Sequence, residues 1–403
     1  MKSKLHNQTS EEVINELNKC QDELMQSAQM LIENGHIKIL NAPTLKQLRK
    51  MYGGDAWDTP LLTDDEVSLP WPKNKLPDLK TIHDIMSKAV DKGSYTMARP
   101  NLEEGVWGIA TNLVQNLNDP KYVGEGGALH SIKSQALDQS AVFQSWDSDG
   151  MLGRSEMNLT ALPAGDSNDL DYRDCWTLST LLQGTMSWMI MAPTPENLEL
   201  LRDKLQKDTN GEETNSWEYL EHMQGAVAFI QRPGQMVYIP PCCPYAMLTI
   251  ETCVSAAYRM ATAKKFSMSL QNIPLFMQRV LYDTSEVQEI KFTEKADKLQ
   301  EALDAILTNS LPAYDAKNVI IQICRMWDDV KDDYRNLCEA IKDKDTSTAI
   351  QNRIKETFTR FLVAKGKKSA KCRLCGIAKK TFDRGYAEHF AGAHWNATPA
   401  DGD

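Results

Sequence analysis

Four residues near the C-terminus carry the clearest chemistry in this chain: Cys372-x2-Cys375-x13-His389-x4-His394. Two thiolates and two imidazoles at this spacing suit a tetrahedral Zn²⁺ ion. The Cys pair belongs on a tight knuckle and the His pair on one face of a helix. Four protein ligands saturate the ion and leave no position for water or substrate, so the zinc is expected to be structural rather than catalytic. A module this small depends on its metal to fold.

The arrangement resembles a C2H2-type zinc finger. The gap between the pairs is thirteen residues, against about twelve in the common pattern. Tyr386 stands where a finger places a large apolar residue, and Phe382 offers a second core contact. Counting back from His389, the positions that would face bases are Phe382, Gly385 and Glu388. None is the Arg, Asn or Gln that makes bidentate base contacts. From Lys365 to Arg384 there are eight Lys or Arg residues and one acid, so this stretch carries +7 and the remainder −17 of the total −10. The basic stretch suits contact with nucleic-acid phosphate without sequence choice, nuclear import, or a solvated linker.

The chain has 403 residues, too many for one ordinary core, and a 42% hydrophobic content normal for a globular protein. Its apolar runs fall far short of the roughly 18 residues that span a bilayer, so no membrane partner is expected. The N-terminus lacks a signal-peptide core. Nine cysteines, seven of them scattered along the chain, argue for a reducing compartment rather than a disulfide scaffold.

Thr9 and Glu12 form a capping box for a helix carrying Val13, Leu17, Cys20, Leu24, Ala28 and Leu31, which ends at Asn34-Gly35. HIKIL reads as a strand, and Thr44 as the cap of a short helix through Leu48. Further helices are expected near 81–90 and 101–118, and a long loop with one or two short strands over 119–155. From Met157 to Met260, short apolar runs alternate with Gly and Pro, as strands of a double-sheet β-barrel do. After that the period becomes 3.6. Leu299, Leu303 and Ile306 mark one helix. Ile320, Cys324, Trp327, Val330, Tyr334, Leu337 and Ile341 mark one long helix or two abutting ones. Ile350, Ile354, Phe358 and Phe361 mark another. These stripes read mainly as core, and a homodimer through the bundle is compatible with them.

Residues 157–260 resemble the JmjC family, a cupin-like branch of the Fe(II)/2-oxoglutarate oxygenases. The matching features are Leu182, Gly184 and Trp188 with Pro193 closing the segment, the Gly-Gln-x-x-x-Ile-Pro-Pro element from Gly234 to Pro241, and Leu248 to Glu251. The resemblance implies an α+β protein. A double-stranded β-helix (jelly roll) barrel would be flanked by N- and C-terminal helical regions and followed by a small ββα zinc finger. The expected division is 1–118 mainly helical, 119–262 barrel, 263–364 helical, and 365–403 basic segment and finger.

Active members of that family hold iron with a His-x-Asp/Glu pair and a distant His. Here the first pair falls on Asp169 to Asp174, which contains Asp169 and Asp171 but no His and reads as a solvated acidic loop. The distant His falls at Tyr245, and the 2-oxoglutarate lysine at Met186 or Ser187. Iron and 2-oxoglutarate are therefore not expected to bind, and no catalytic residue is assigned. Cys242, Cys243 and Cys253 read as small buried residues, and His130 and His222 do not match ligand positions. The resemblance implies a nuclear, chromatin-associated pseudo-oxygenase that binds or scaffolds chromatin or nuclear proteins. The alternatives are an active demethylase or hydroxylase with unorthodox ligands, and a DNA-binding regulator with a structural barrel.

Overall fold

The computed structural model describes residues 7–19, 23–52, 59–64, 70–71, 75–97, 105–124, 126–141, 147–212, 214–281, 283–364, 371–379 and 385–396. In chain order the elements begin with α1 (Ser10–Leu17), α2 (Glu23–Glu33), β1 (Lys38–Ile39), α3 (Ala42–Tyr52), β2 (Leu61–Thr63), α4 (Leu79–Asp91), β3 (Thr96–Met97) and α5 (Val106–Gln115). Next come β4 (Leu129–Lys133), α6 (Gln135–Ser140), β5 (Met151–Arg154), β6 (Asn158–Leu162), β7 (Ser167–Asp171), β8 (Trp176–Gln183), β9 (Met186–Ile190), α7 (Pro195–Thr209) and α8 (Ser216–His222). Then follow β10 (Val227–Gln231), β11 (Met236–Ile239), β12 (Tyr245–Thr249) and β13 (Cys253–Thr262). The chain closes with α9 (Phe266–Gln271), α10 (Ile273–Val280), α11 (Ser285–Leu307), α12 (Lys317–Glu339), α13 (Lys344–Ala364) and α14 (Tyr386–Phe390).

Two compact units emerge. The first comprises Met1–Gln144, Arg154–Lys204 and Glu213–Met260; the second comprises Ser145–Gly153, Leu205–Glu212 and Ala261–Asp403.

The first unit is α+β. One sheet runs β1-β10-β9-β12-β7 and the other β2-β11-β8-β13-β6-β4-β3. Along these two orders β1 runs parallel to β10, and the other pairings among the described residues are antiparallel. The strands β6 to β13 pair as nested hairpins: β9 with β10, β8 with β11, β7 with β12 and β6 with β13. The two sheets remain separate, so the architecture is an open stack rather than the closed barrel expected. Their shared core explains the stacking. Met186, Trp188, Ile190, Phe229 and Tyr245 from one sheet join Leu162, Leu181, Val237, Ile239 and Cys253 from the other in one apolar cluster. Burial of those alternate side chains is what the period-2 pattern encodes.

At the N-terminal end the capping box is present: Glu12 N–H donates to Thr9 Oγ1 at 3.2 Å, and Thr9 N–H to Glu12 Oε2 at 2.7 Å. The single long helix expected there is two, α1 and α2, with Cys20 outside the described residues. The cap of α3 is Asn41, whose Oδ1 accepts from Thr44 N–H at 3.0 Å, so Thr44 itself lies inside the helix. Between 119 and 155 the two short strands expected are β4 and β5, and the helix α6 between them is an addition. Of the stretch Asp169 to Asp174 expected as a solvated loop, the first part through Asp171 lies on strand β7, and residues 172–174 follow it outside the strand. Among the described residues no helix is long and apolar enough to cross a membrane.

The second unit is helical. Its apolar core runs along α11, α12 and α13 and includes Leu303, Ile323, Trp327, Ile354 and Phe358. The stripe from Ile320 to Leu337 occupies one continuous helix, α12. Tyr334 Oη donates to Ala296 O at 3.0 Å, fixing α12 against α11. Cys372, Tyr386, Phe390 and Trp395 belong to the same core.

Candidate metal centre

The Cys pair sits on a knuckle that the chain closes locally. Cys372 N–H donates to Ile377 O at 2.7 Å, Gly376 N–H donates to Cys372 O at 2.9 Å, and Lys371 bridges to Ala378. Gly376 has φ 73°, a left-handed turn conformation that a side chain would strain. The His pair poses a geometric problem. Five residues of α-helix turn through about 500°, leaving His389 and His394 about 140° apart. The chain resolves this by passing from α14 into a π turn over Ala391–Trp395, where Asn396 N–H donates to Ala391 O at 2.8 Å. The wider turn takes up the extra residue and brings both rings to one side. Their centroids are 5.2 Å apart.

The four side chains converge. One ligand atom from each of Cys372, Cys375, His389 and His394 lies within 4.8 Å of the others. Cys372 Sγ is 3.6 Å from His394 Nε2, and Cys375 Sγ is 3.4 Å from His389 Nε2. A tetrahedral zinc with bonds of about 2.3 Å to sulfur and about 2.05 Å to nitrogen requires S···N edges of about 3.5 Å. The two edges match that requirement, so the donor set and its spacing fit zinc. Burial raises the Cys372 thiol. Hydrogen bonds from His394, from the N–H groups of Cys375 and Leu374 and from His389 outweigh it and bring the thiol down from 9.0 to about 6. The thiolate that a metal needs is therefore already favoured. Burial and the neighbouring Cys372 push the Cys375 thiol up instead.

The motif does not stand free of the helices. Phe390 stacks on Phe358 with centroids 4.7 Å apart, and Trp395 stacks on Trp327 at 6.3 Å. Trp327 Nε1–H donates to His394 O at 3.0 Å, and Arg335 donates to Trp395 O at 2.7 Å. His394 Nδ1 lies 3.1 Å from Asp328 Oδ1. Asp328, Trp327 and Arg335 were invisible to motif reading, because they lie on another helix dozens of residues earlier. Of the base-facing positions, Gly385 precedes α14, Glu388 is exposed, and Phe382 lies outside the described residues. So do residues 365–370 and 380–384 of the basic stretch. Tyr386 is buried, but the partners that fill the module's apolar side, Phe358 and Trp327, come from α13 and α12.

In the sheet unit, Asp171 and Tyr245 stand opposite each other on β7 and β12. Tyr245 Oη donates to Asp171 Oδ2 at 3.4 Å, and Arg173 forms an ion pair with the same carboxylate oxygen. The Arg173 guanidinium also lies 6.0 Å from the Tyr245 ring centroid. Met186 does not join them. It pairs with Thr249, whereas Tyr245 pairs with Ile190 on the same strand; four residues of strand separate the two by about 13 Å. Asp169 lies on β7, with its side chain outside the described residues. Cys242, Cys243 and Cys253 are fully buried. His222 is exposed at the end of α8. Burial, then the charges of Arg173 and Arg259, hold His130 down at about 4.

No protein-family model and no curated protein matches this sequence.

Proposed function

We propose that this chain is a non-catalytic binding protein: a jelly roll of JmjC type without an iron centre, joined to a helical unit carrying structural zinc. The nested pairing of β6 to β13 supports the jelly-roll reading, since folding one long hairpin into two facing sheets produces that order. A nuclear, chromatin-associated role follows from the resemblance alone.

The observation that carries the non-catalytic reading is the state of Asp171. Iron in the family is held by two imidazoles and a carboxylate with open positions beside them. Of the acids at that place, Asp171 is already neutralised by Arg173 and hydrogen-bonded by Tyr245. His130 is the imidazole that most favours an oxygenase, because it stays neutral, the form that binds metals. The two guanidinium groups that depress it also repel a divalent cation.

Metal analysis of the purified full chain tests both halves. A single equivalent of zinc is expected, lost on Cys375→Ser or His389→Ala, with no iron retained after aerobic or anaerobic reconstitution. Iron bound in stoichiometric amount, with 2-oxoglutarate turnover abolished by Asp171→Asn or His130→Ala, would overturn the proposal in favour of an active oxygenase. For the basic stretch, binding to duplex DNA should weaken with salt and show no sequence preference.

A further inference from the structure

We propose that Asp328 on α12 is the positioning residue for the metal ligand His394, so that binding of the ion and packing of the second unit are one coupled event. The inference rests on the zinc reading above and names a residue outside the Cys/His motif.

Geometry carries the argument. The His394 ring presents Nε2 to Cys372 Sγ at 3.6 Å and Nδ1 to Asp328 Oδ1 at 3.1 Å. An imidazole that ligates through one nitrogen must carry its proton on the other, and a carboxylate facing Nδ1 selects that tautomer. It also fixes the ring about its own axis, so the Nε2 lone pair points at the metal position. Asp328 is itself held: Lys331 Nζ, on a buried side chain one turn along, lies 3.6 Å from the same Oδ1. The residue before it grips the other end of the ligand, since Trp327 Nε1–H donates to His394 O at 3.0 Å. Arg335, two turns further, donates to Trp395 O at 2.7 Å. One face of α12 thus holds both the side chain and the backbone of the His394 turn.

The π turn gives this grip its purpose. His394 lies five residues after His389, and its placement depends on a turn that is rarely stable alone. Anchors on α12 hold that turn in register, and the ion in return ties the C-terminal segment to α12. His394 is the buried histidine of the pair at 1% exposure, so its orientation cannot be corrected by solvent.

The test uses the full chain and zinc itself. Zinc affinity is measured by competition with a chromophoric chelator for wild type, Asp328→Ala and Asp328→Asn. Loss of a partner that orients a metal-bound histidine costs roughly 10–100-fold in affinity, so Asp328→Ala should fall in that range and Asp328→Asn by less. Two readouts separate positioning from mere structure. Cobalt substituted for zinc should keep a tetrahedral spectrum in wild type and shift in Asp328→Ala as the His394 ring detaches. Nitrogen NMR of the zinc-bound wild type should show His394 protonated on Nδ1. Zinc binding in Asp328→Ala within twofold of wild type, an unchanged cobalt spectrum, or a proton on Nε2 would each overturn the inference. Wild type that takes up no zinc would overturn the zinc reading itself, an outcome distinct from the others.

Discussion

Truncating Trp327 tests whether the metal module and the helices share one core. The indole is fully buried, with Phe358 at 4.3 Å, Phe390 at 6.2 Å, Trp395 at 6.3 Å and Tyr334 at 6.4 Å between ring centroids. Trp→Ala in a packed core costs about 3–5 kcal/mol in transfer and cavity terms. The His394 carbonyl also loses its donor, which adds about 1–3 kcal/mol if the group stays dry. Trp327→Ala should therefore destabilise the second unit by about 5 kcal/mol, a large part of the roughly 5–15 kcal/mol typical of a domain. Trp327→Phe keeps most of the ring contact and removes the N–H, so it isolates the hydrogen bond at about 1–3 kcal/mol. Native-state hydrogen exchange at saturating zinc reads both, on the amides of α12, α13 and α14 separately. Protection should fall together in all three. A loss under about 1 kcal/mol for the alanine variant, or a loss confined to α12 and α13 with α14 unchanged, would refute the shared core.

Three further predictions concern the sheet unit. Gly184 has φ 82°, and a Cβ there would lie 2.3 Å from Thr252 O and 2.7 Å from Cys253 Sγ; Gly184→Ala combines about 1–2 kcal/mol of left-handed strain with a forced backbone shift, so a drop of several degrees in melting temperature or loss of soluble protein is expected. Asn197 is fully buried, and its Nδ2 donates to Ala192 O at 2.7 Å and Gln224 O at 2.8 Å while Oδ1 accepts from Gln224 N–H at 2.8 Å. Asn197→Ala should lower the urea midpoint, and Asn197→Asp more so, because a carboxylate oxygen would face the carbonyls. Burial, then the charges of Arg173 and Arg259, hold the folded His130 down at about 4, below the ordinary histidine value of about 6.5. The unfolded chain therefore binds the extra proton first, and stability declines as pH falls from about 6.5 to about 4, by about 3 kcal/mol in all. Urea unfolding across that window should show this slope in wild type and a shallower one in His130→Asn; equal slopes would refute it.

What could be read from the sequence was what short stretches of backbone decide. The stripe through Ile320, Trp327, Val330, Tyr334 and Leu337 became α12 because a helix returns to the same face within a few residues. The Thr9–Glu12 capping box formed because both partners lie in one turn. The Cys and His spacing marked the four ligands, which converge because a π turn, which the spacing alone did not announce, brings the His pair to one side. Where Asn41 displaced Thr44 as a cap, two competent side chains stood in the same turn, and local pattern could not rank them.

Pairings across long separations belonged to the tertiary structure. β1 adds to β10 in parallel through Lys38 and Val227, a choice made by an available sheet edge and by no feature of HIKIL. Asp171 looked like a solvated acid until β7 and β12 set it opposite Tyr245 and next to Arg173. Asp328 belongs to no motif, and only packing of the π turn on α12 sets it against His394. Residue types and their spacing determined which groups can bind a metal. Only the packing of distant segments decided which carboxylate orients a ligand and which is locked in an ion pair, because an electrostatic contact depends on distance in space and is indifferent to distance along the chain.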